Sequence, residues 1–248
     1  MSKTLSEFFT LTALGTVTST NDEAMALAGS GAPEGTLITA RAQNAGRGRR
    51  GRDWHSPEGN LYLSLILTPA AGMSDATAIG FAAALAARTA VAACLPGDPT
   101  QVEVKWPNDV LIEGAKVAGL LIEAVPGRAG ALVLGLGINI AHHPVDTPYP
   151  ATSVAAKGGH VSVEALRNAF CRDFLSLYAA YGCDGFTPLR ADWLAHARGV
   201  GDPIRVNLEG ARFDGTFKDI DAGGALVLDL GGGVVKKFTA GDVFFASI

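Results

Sequence analysis

Apolar positions along this chain follow three rhythms. Between residues 36 and 140 they come in short blocks: Thr36-Leu-Ile-Thr-Ala-Arg-Ala42, Leu61-Tyr-Leu-Ser-Leu-Ile-Leu-Thr68, Val102–Ile112, Lys116–Ala124 and Ala131–Ile140. Blocks of this length bounded by turn residues predict strands. Residues 10–19, rich in Thr, Leu and Val, add a strand leading to Ser19. The turns Glu113-Gly-Ala and Pro126-Gly-Arg-Ala-Gly130 are too short for a crossover, so 102–140 is expected to be an antiparallel meander. Helical spacing appears elsewhere. Val163, Leu166, Phe170, Phe174, Leu177 and Tyr181 form a core-facing stripe on a helix begun by Ser162. Thr20 and Glu23 match a capping box for a helix over about 21–28, and a short helix is expected over about 187–198. An alanine-rich helix capped by Ser74 or Asp75 should run to about Cys94; Arg88 and Thr89 within it favour a buried core helix over a membrane span. From Gly201 the period falls to two, over Pro203–Leu208, Ala211–Phe217, Ala225–Leu230 and Val234–Phe238, with Gly-rich turns between. Such spacing predicts a small barrel. The plan is α+β: a catalytic-sized unit over 1–200 and a small β unit over 201–248, which at this size should pack on the larger one.

Composition narrows the class. The chain has 248 residues, 48% hydrophobic and 18% charged, enough to build a full core. A net charge of −4 gives no overall field for nucleic acid. Cys94, Cys171 and Cys183 show no metal-ligand spacing and sit in Ala- and Leu-rich runs, which reads as buried thiols in a reducing cytoplasm. The N-terminus, with Glu7 and no long apolar stretch, is not a signal peptide. The adjacent His142 and His143 read as surface-loop residues.

Against that acidic background one stretch stands out. Arg47, Arg49, Arg50 and Arg52 alternate with Gly46, Gly48 and Gly51 inside residues 43–56. Arginine forks bind phosphate and carboxylate at two points, and glycines let a backbone approach a ligand. Arg/Gly runs are also common as solvated or nucleic-acid-binding tails. Here the run feeds directly into the apolar strand at 61–68, which favours a mobile binding loop anchored at both ends. Lys105-Trp-Pro-Asn-Asp109 then sets a cation, an aromatic, an amide and a carboxylate around a turn. Lys116 enters an apolar strand before Gly119, and Gly135-Leu-Gly-Ile-Asn139 pairs small residues with an amide that has no core role. A lysine entering such a strand calls for an anionic partner. Each signal alone is weak; Asp109 could simply shape its turn, and a Gly-x-Gly in a strand more often serves packing.

In this order and spacing the motifs at 46–54, 56–64, 105–109, 116–119 and 135–139 closely resemble the biotin protein ligases (biotin–[acetyl-CoA-carboxylase] ligases), over roughly residues 15–140. The resemblance implies a mixed, largely antiparallel sheet flanked by helices, a class II synthetase-like core, with a C-terminal SH3-like β-barrel. It implies ATP and biotin as substrates with Mg²⁺, a biotinyl-5′-AMP intermediate, and transfer to a lysine of a biotin carboxyl carrier protein. By the same likeness Ser19, Thr20, Asn21, Gln43, Arg47, Gly48, Arg49, Lys116 and Gly119 surround biotin. Arg47, Arg49, Arg52, Trp54, Asn108, Lys116 and Asn139 meet the nucleotide, with Trp54 near the adenine. Arg49, Lys116 and Asp109 are the catalytic candidates, and Asp109 is also the Mg²⁺ candidate. Some relatives carry an N-terminal winged helix-turn-helix. Only about 15 residues precede the strand leading to Ser19, so no DNA partner and no repressor role are expected. No membrane partner is expected either; a homodimer is compatible with the likeness. The rival readings are a lipoate or octanoate ligase of the same fold class, a nucleotide- or nucleic-acid-binding module, and an inactive biotin sensor, which the intact Lys116 and Asp109 disfavour.

Overall fold

A computed structural model describes residues 4–147 and 149–245. The first three residues of the N-terminal stretch, Pro148, and the last three of the 201–248 unit lie outside the described residues.

Seven strands form the main sheet: β1 (Thr10–Val17), β2 (Thr36–Gln43), β3 (Leu61–Leu67), β4 (Val102–Lys105), β5 (Asp109–Ile112), β6 (Ala115–Ala124) and β7 (Leu132–Ile138). Their order is β1-β2-β3-β7-β6-β5-β4. Only β1 and β2 pair in parallel, joined by the crossover helix α2 (Thr20–Gly29). Residues 102–138 make the antiparallel meander that their short turns require.

Alternation along the central strands assigns the two faces. Leu61, Leu63, Leu65 and Leu67 of β3 and Leu132, Leu134, Leu136 and Ile138 of β7 point into one large core. That core is covered by α3 (Ala76–Ala92), α4 (Val163–Asp184) and α5 (Phe186–Ala195). The opposite face of the sheet carries α2 over a smaller cluster with Ile38, Ile66 and Val133. On this second face the same alternation places Ser64, Gly135, Gly137, Gly119 and Glu123, and the register sets Gly119 opposite Gly137 and Ser64 opposite Gly135. A face with little side-chain volume beside the N-terminus of α2 is where a ligand can reach the sheet.

The segment Gly72–Ala92 is long and apolar enough to cross a membrane, but 67% of its most apolar window is buried inside the protein. Its alanines let α3 lie close to the sheet, and Phe81 stacks on Trp193 of α5 at 4.5 Å. Of the expected α4 stripe, Leu166, Phe170 and Phe174 are buried and Val163, Leu177 and Tyr181 pack half-buried against the core; Tyr178, outside that stripe, extends the Phe170–Phe174 stack.

The helix starts differ in part from expectation. Ser162 caps α4 through the Ala165 N–H. Ser19, not Thr20, caps α2 by accepting from the Asn21 N–H. Thr20 is diverted because its N–H and hydroxyl both reach Gln43. Asp75 precedes α3 without capping it; its carboxylate accepts from the Tyr181 hydroxyl and the Ala71 N–H. An additional short helix, α1 (Leu5–Phe8), precedes β1. The expectation of three buried thiols fails: Cys171 is buried, Cys94 is half-buried and Cys183 is exposed near the end of α4. His142 is exposed as expected, and His143 is half-buried beside Ser153.

The C-terminal strands β8 (Pro203–Leu208), β9 (Ala211–Ile220), β10 (Leu226–Asp229), β11 (Val235–Phe238) and β12 (Asp242–Phe245) form an antiparallel sheet in the order β11-β10-β9-β8-β12. It is barrel-like but not closed, because among the described residues no ladder joins β11 to β12. The strand β12, pairing with β8, is one that periodicity did not mark. Ile204, Val206, Phe217 and Leu226 join the main core. Arg190 of α5 binds Asp219 with one guanidinium nitrogen, and Trp106 Nε1 donates to the Gly224 carbonyl at 3.1 Å. The small sheet is thereby held against the β4–β5 turn.

Candidate active site

The arginine–glycine loop forms a hairpin. Gln43 pairs with Ser56 and Arg47 with Asp53. At its tip Arg50 (φ 58°) and Gly51 (φ 69°) are both left-handed, as a two-residue primed turn requires. Glycine takes that angle freely; arginine pays roughly 1 kcal/mol for it. The hairpin lies over two adjoining cavities.

The smaller cavity, about 50 Å³, is lined by Ser19, Thr20, Asn21, Gln43, Arg47, Gly48, Trp54, Lys116, Gly119, Gly135 and Gly137, with Leu120, Leu121 and Leu136. Every residue assigned above to biotin is here except Arg49. Its polar end is one connected network. Gln43 Oε1 accepts from the Thr20 N–H (2.8 Å) and hydroxyl, while its amide donates to Ser56. The Ser64 hydroxyl lies 2.6 Å from Asn21 Oδ1 and 2.8 Å from Thr20 Oγ1. Asn21 Nδ2 donates to Glu123 at 2.7 Å. Arg47 clamps Asp22 with both terminal nitrogens, at 2.8 and 2.7 Å, and sits 3.8 Å from Glu123. The hydrogen bond to Asp22 holds the Arg47 guanidinium above its ordinary pKa despite partial burial.

The glycines of the floor are explained by what lies on them. A methyl group at Gly137 would come within 2.4 Å of Trp54 Nε1, and one at Gly135 within 2.2 Å of Asn21 Oδ1. Trp54 Nε1 is buried without an acceptor. If these residues hold biotin as the resemblance implies, Gly135→Ala, by pushing Asn21 off Ser64 and Glu123, is predicted to weaken biotin binding about 10- to 100-fold, the worth of one or two buried hydrogen bonds. The KM for ATP should change less than about threefold. Titration calorimetry with biotin checks this; an unchanged biotin affinity would remove Asn21 from the binding end.

The larger cavity, about 550 Å³, includes Gly48, Arg49, Arg52, Trp54, Lys105, Asn108, Asp109, Lys116, Asn139, Tyr149 and Asp242 in its wall. That volume suits a nucleotide-sized ligand. Each residue assigned to the nucleotide lines it except Arg47, which faces only the smaller cavity. Arg49 donates to Asn108 Oδ1 at 3.3 Å. Burial, and secondarily the charge of Arg50, lowers its pKa. Arg50 (3.0 Å) and Arg52 both bind Asp242 of β12. Asn139 is buried, and its amide donates to the Thr152 carbonyl. Lys116 Nζ lies 2.6 Å from Asp109 Oδ1 and 5.3 Å from the centre of the Trp54 ring. That contact is an ion pair without hydrogen-bond geometry, since Asp109 Oδ1 is buried with no donor directed at it.

Gly48, Trp54 and Lys116 line both cavities. A group bound in one cavity therefore meets a group bound in the other beside the Lys116 ammonium. Among the described residues no three His, Cys, Asp or Glu side chains are grouped to hold a metal ion. Asp109 offers one carboxylate, paired through Oδ1 with Lys116. This fits an ion that arrives on a nucleotide with most of its ligands supplied by phosphate and water.

Sequence reasoning passed over Asp22, Glu123, Tyr149 and Asp242, and it quoted Ser64 and Lys105 within motifs without giving either a role. For Ser64 there was a signal, a lone hydroxyl inside the apolar 61–68 block. Glu123 also had one, sharing the period-two face of Gly119. Asp22 and Asp242 had none, because their importance comes only from the arginines that the fold brings to them.

A cation-lined pair of adjoining cavities defines a class, and residues 14–139 match the biotin/lipoate A/B protein ligase family. Residues 199–246 match the biotin protein ligase C-terminal domain. The chain belongs to the biotin protein ligase family. It is 39% identical over 236 residues to the biotin–[acetyl-CoA-carboxylase] ligase of Paracoccus denitrificans, covering 92% of this chain and 97% of that one. It is 35% identical over 232 residues to the bifunctional ligase/repressor BirA of Bacillus subtilis, covering 90% and 70%. The biotin protein ligase of Aquifex aeolicus, solved in complex with biotin and ATP, shares the fold at a TM-score of 0.82 and 22% identity, over 95% of this chain and 99% of that chain. The Leishmania major enzyme in complex with biotinyl-5-AMP superposes at 0.66 with 25% identity, covering 93% and 98%.

Proposed function

We propose that this chain activates biotin with ATP and transfers it to a lysine of a biotin carboxyl carrier protein. The observation that carries this reading is the shared wall of the two cavities at Gly48, Trp54 and Lys116. The smaller cavity takes the biotin rings, its polar end facing the ureido group. The larger takes ATP. In the first step a biotin carboxylate oxygen attacks the α-phosphorus, the bond to the β-bridging oxygen breaks, and pyrophosphate leaves. In the second, a neutral lysine amine attacks the biotinyl carbonyl, AMP leaves with the bonding electrons, and the amine loses a proton. Asp109 is assigned as the acceptor for that proton.

Joining two anions is opposed by their repulsion. Lys116, Arg47 and Arg49 offset it, and fixed charges of this kind are often the largest catalytic contribution. At about 50 Å³ the smaller cavity holds only a few waters. Biotin must therefore move the Trp54 indole off Gly137, and the hairpin then closes over the adenylate to keep water out. In this assignment Trp54 meets the adenine side once displaced, and Arg52 meets phosphate once released from Asp242. Asp109 would be the protein ligand of Mg²⁺, which neutralises phosphate charge when bound. Residues 1–200 are assigned as the catalytic unit and 201–248 as the unit that braces the loop through Asp242. The enzyme is assigned to the cytoplasm and to carrier protein rather than DNA as partner, either alone or as a homodimer.

Labelled biotin appearing on a purified carrier protein with ATP, with no labelling from lipoate, is the expected result. Lipoate labelling without biotin labelling would overturn it in favour of the rival acyl ligase.

A further inference from the structure

One cation of the larger cavity is left unbalanced by the protein. Lys105 closes β4 and is 9% exposed. Among the described residues its ammonium has no carboxylate within 4.0 Å and no hydrogen-bond acceptor. Its near neighbours are rings: Tyr149 at 4.7 Å and Phe245 at 5.6 Å from their centres. Ring faces offset only part of the cost of desolvating a cation. Burial accordingly lowers the Lys105 pKa, opposed from longer range by Asp109 and Asp242 and reinforced by Lys116 and Arg52. The other cations of the site differ. Arg47, Arg50, Arg52 and Lys116 each touch a carboxylate, and Arg49 has an amide oxygen.

A nearly buried ammonium aimed into a cavity with no partner is costly unless a ligand supplies the anion. Lys105 lines only the larger cavity, so the biotin carboxylate is not that ligand. We propose that Lys105 binds the β- and γ-phosphates of the nucleotide and holds the pyrophosphate as it leaves. This rests on the ligase reading above. When the α-phosphorus–oxygen bond breaks, its electron pair stays on the bridging oxygen of pyrophosphate. Lys105 donates hydrogen bonds to the departing group without giving up a proton. Because pyrophosphate leaves before the acceptor lysine reacts, the contribution of Lys105 is confined to the first step.

The full-length protein and Lys105→Met should be compared in three measurements: affinity for inorganic pyrophosphate, biotin-dependent ATP–pyrophosphate exchange, and transfer to carrier protein from chemically prepared biotinyl-5′-AMP. Charge-assisted hydrogen bonds of this kind are worth roughly ten- to a hundredfold in binding. Pyrophosphate affinity should fall at least about tenfold and exchange about a hundredfold, while transfer from the preformed adenylate changes less than about threefold. Lys105→Arg should recover part of the affinity. Lys105→Gln replaces the methionine variant should the latter not fold. Equal pyrophosphate affinity in wild type and variant overturns the proposal, as does an equal loss in transfer from the preformed adenylate. A wild-type chain that transfers no biotin from the adenylate would instead sink the ligase reading; the pyrophosphate comparison still decides Lys105.

Discussion

Lys116→Ala is expected to slow biotinyl-adenylate formation by about three orders of magnitude, the upper range for removing one preorganised electrostatic partner. Among the described residues Lys116 is the one cation that borders both cavities, and it carries a compact, mobile charge on a flexible stem. It lies on Asp109 and against Trp54. An incoming carboxylate and α-phosphate compete for it, and it needs little movement to serve both. The variant also strands Asp109, a half-buried carboxylate, so some loss of stability accompanies the loss of rate. Lys116→Ala/Asp109→Asn separates the two effects. It should restore most of the melting temperature without restoring activity. Pyrophosphate release within tenfold of wild type in the single variant would remove Lys116 from the chemistry.

The same contact illustrates the resting state of the site. Asp22 holds Arg47, Asp109 holds Lys116, and Asp242 holds Arg50 and Arg52. A cluster of cations facing a cavity without such partners would repel itself and destabilise the loop. Internal carboxylates keep it folded until substrate anions replace them. Exchanging one carboxylate for another costs less than desolvating a bare guanidinium.

Which parts of this were legible in the sequence depends on how local the physics is. The meander of 102–138 was, because turn length alone forces antiparallel neighbours. The α4 stripe was, because helical spacing leaves few other readings. The floor glycines were flagged as places of access, but not that Trp54 lies on Gly137 or Asn21 against Gly135. Those contacts depend on how the hairpin and α2 fold over β7. Thr20 was read as a cap because its neighbours fit a local motif; a distant side chain, Gln43, outcompeted the helix for it. The strand β12 was missed because four residues near the chain end carry little periodicity of their own and are defined by pairing with β8. The arginines were legible as cations in want of anions. Their resting partners Asp22 and Asp242 were not, since acidic residues at a helix start and in a late strand look like ordinary solvated charges. Asp242 shows the limit most plainly: it fixes a loop nearly two hundred positions earlier in the chain.

Arg49→Gly should release the adenylate about a hundredfold faster than wild type while slowing its formation less. Unlike Arg50 and Arg52, Arg49 has no carboxylate; it turns inward to the Asn108 amide at a long 3.3 Å. Burial and the charge of Arg50 already press on its ionisation, so the guanidinium gains more than its neighbours from an arriving phosphate. Once the adenylate forms, its α-phosphate is the anion within reach of a two-point fork, and a charge-assisted pair of this kind is worth roughly 1.5–3 kcal/mol. Formation should suffer less because Lys116, which lines both cavities and is assigned to bridge the reacting groups, remains. Arg49→Lys keeps the charge without the planar fork and should fall between the two. Because the hairpin turn sits immediately after Arg49, glycine there also loosens the loop. Arg49→Met separates that effect, because it removes the charge without glycine's backbone freedom: rapid release in both Gly and Met assigns the loss to the guanidinium, and rapid release in Gly alone assigns it to the loosened loop. Unchanged retention of labelled adenylate through rapid gel filtration of Arg49→Gly would show that the loop holds the intermediate without this side chain.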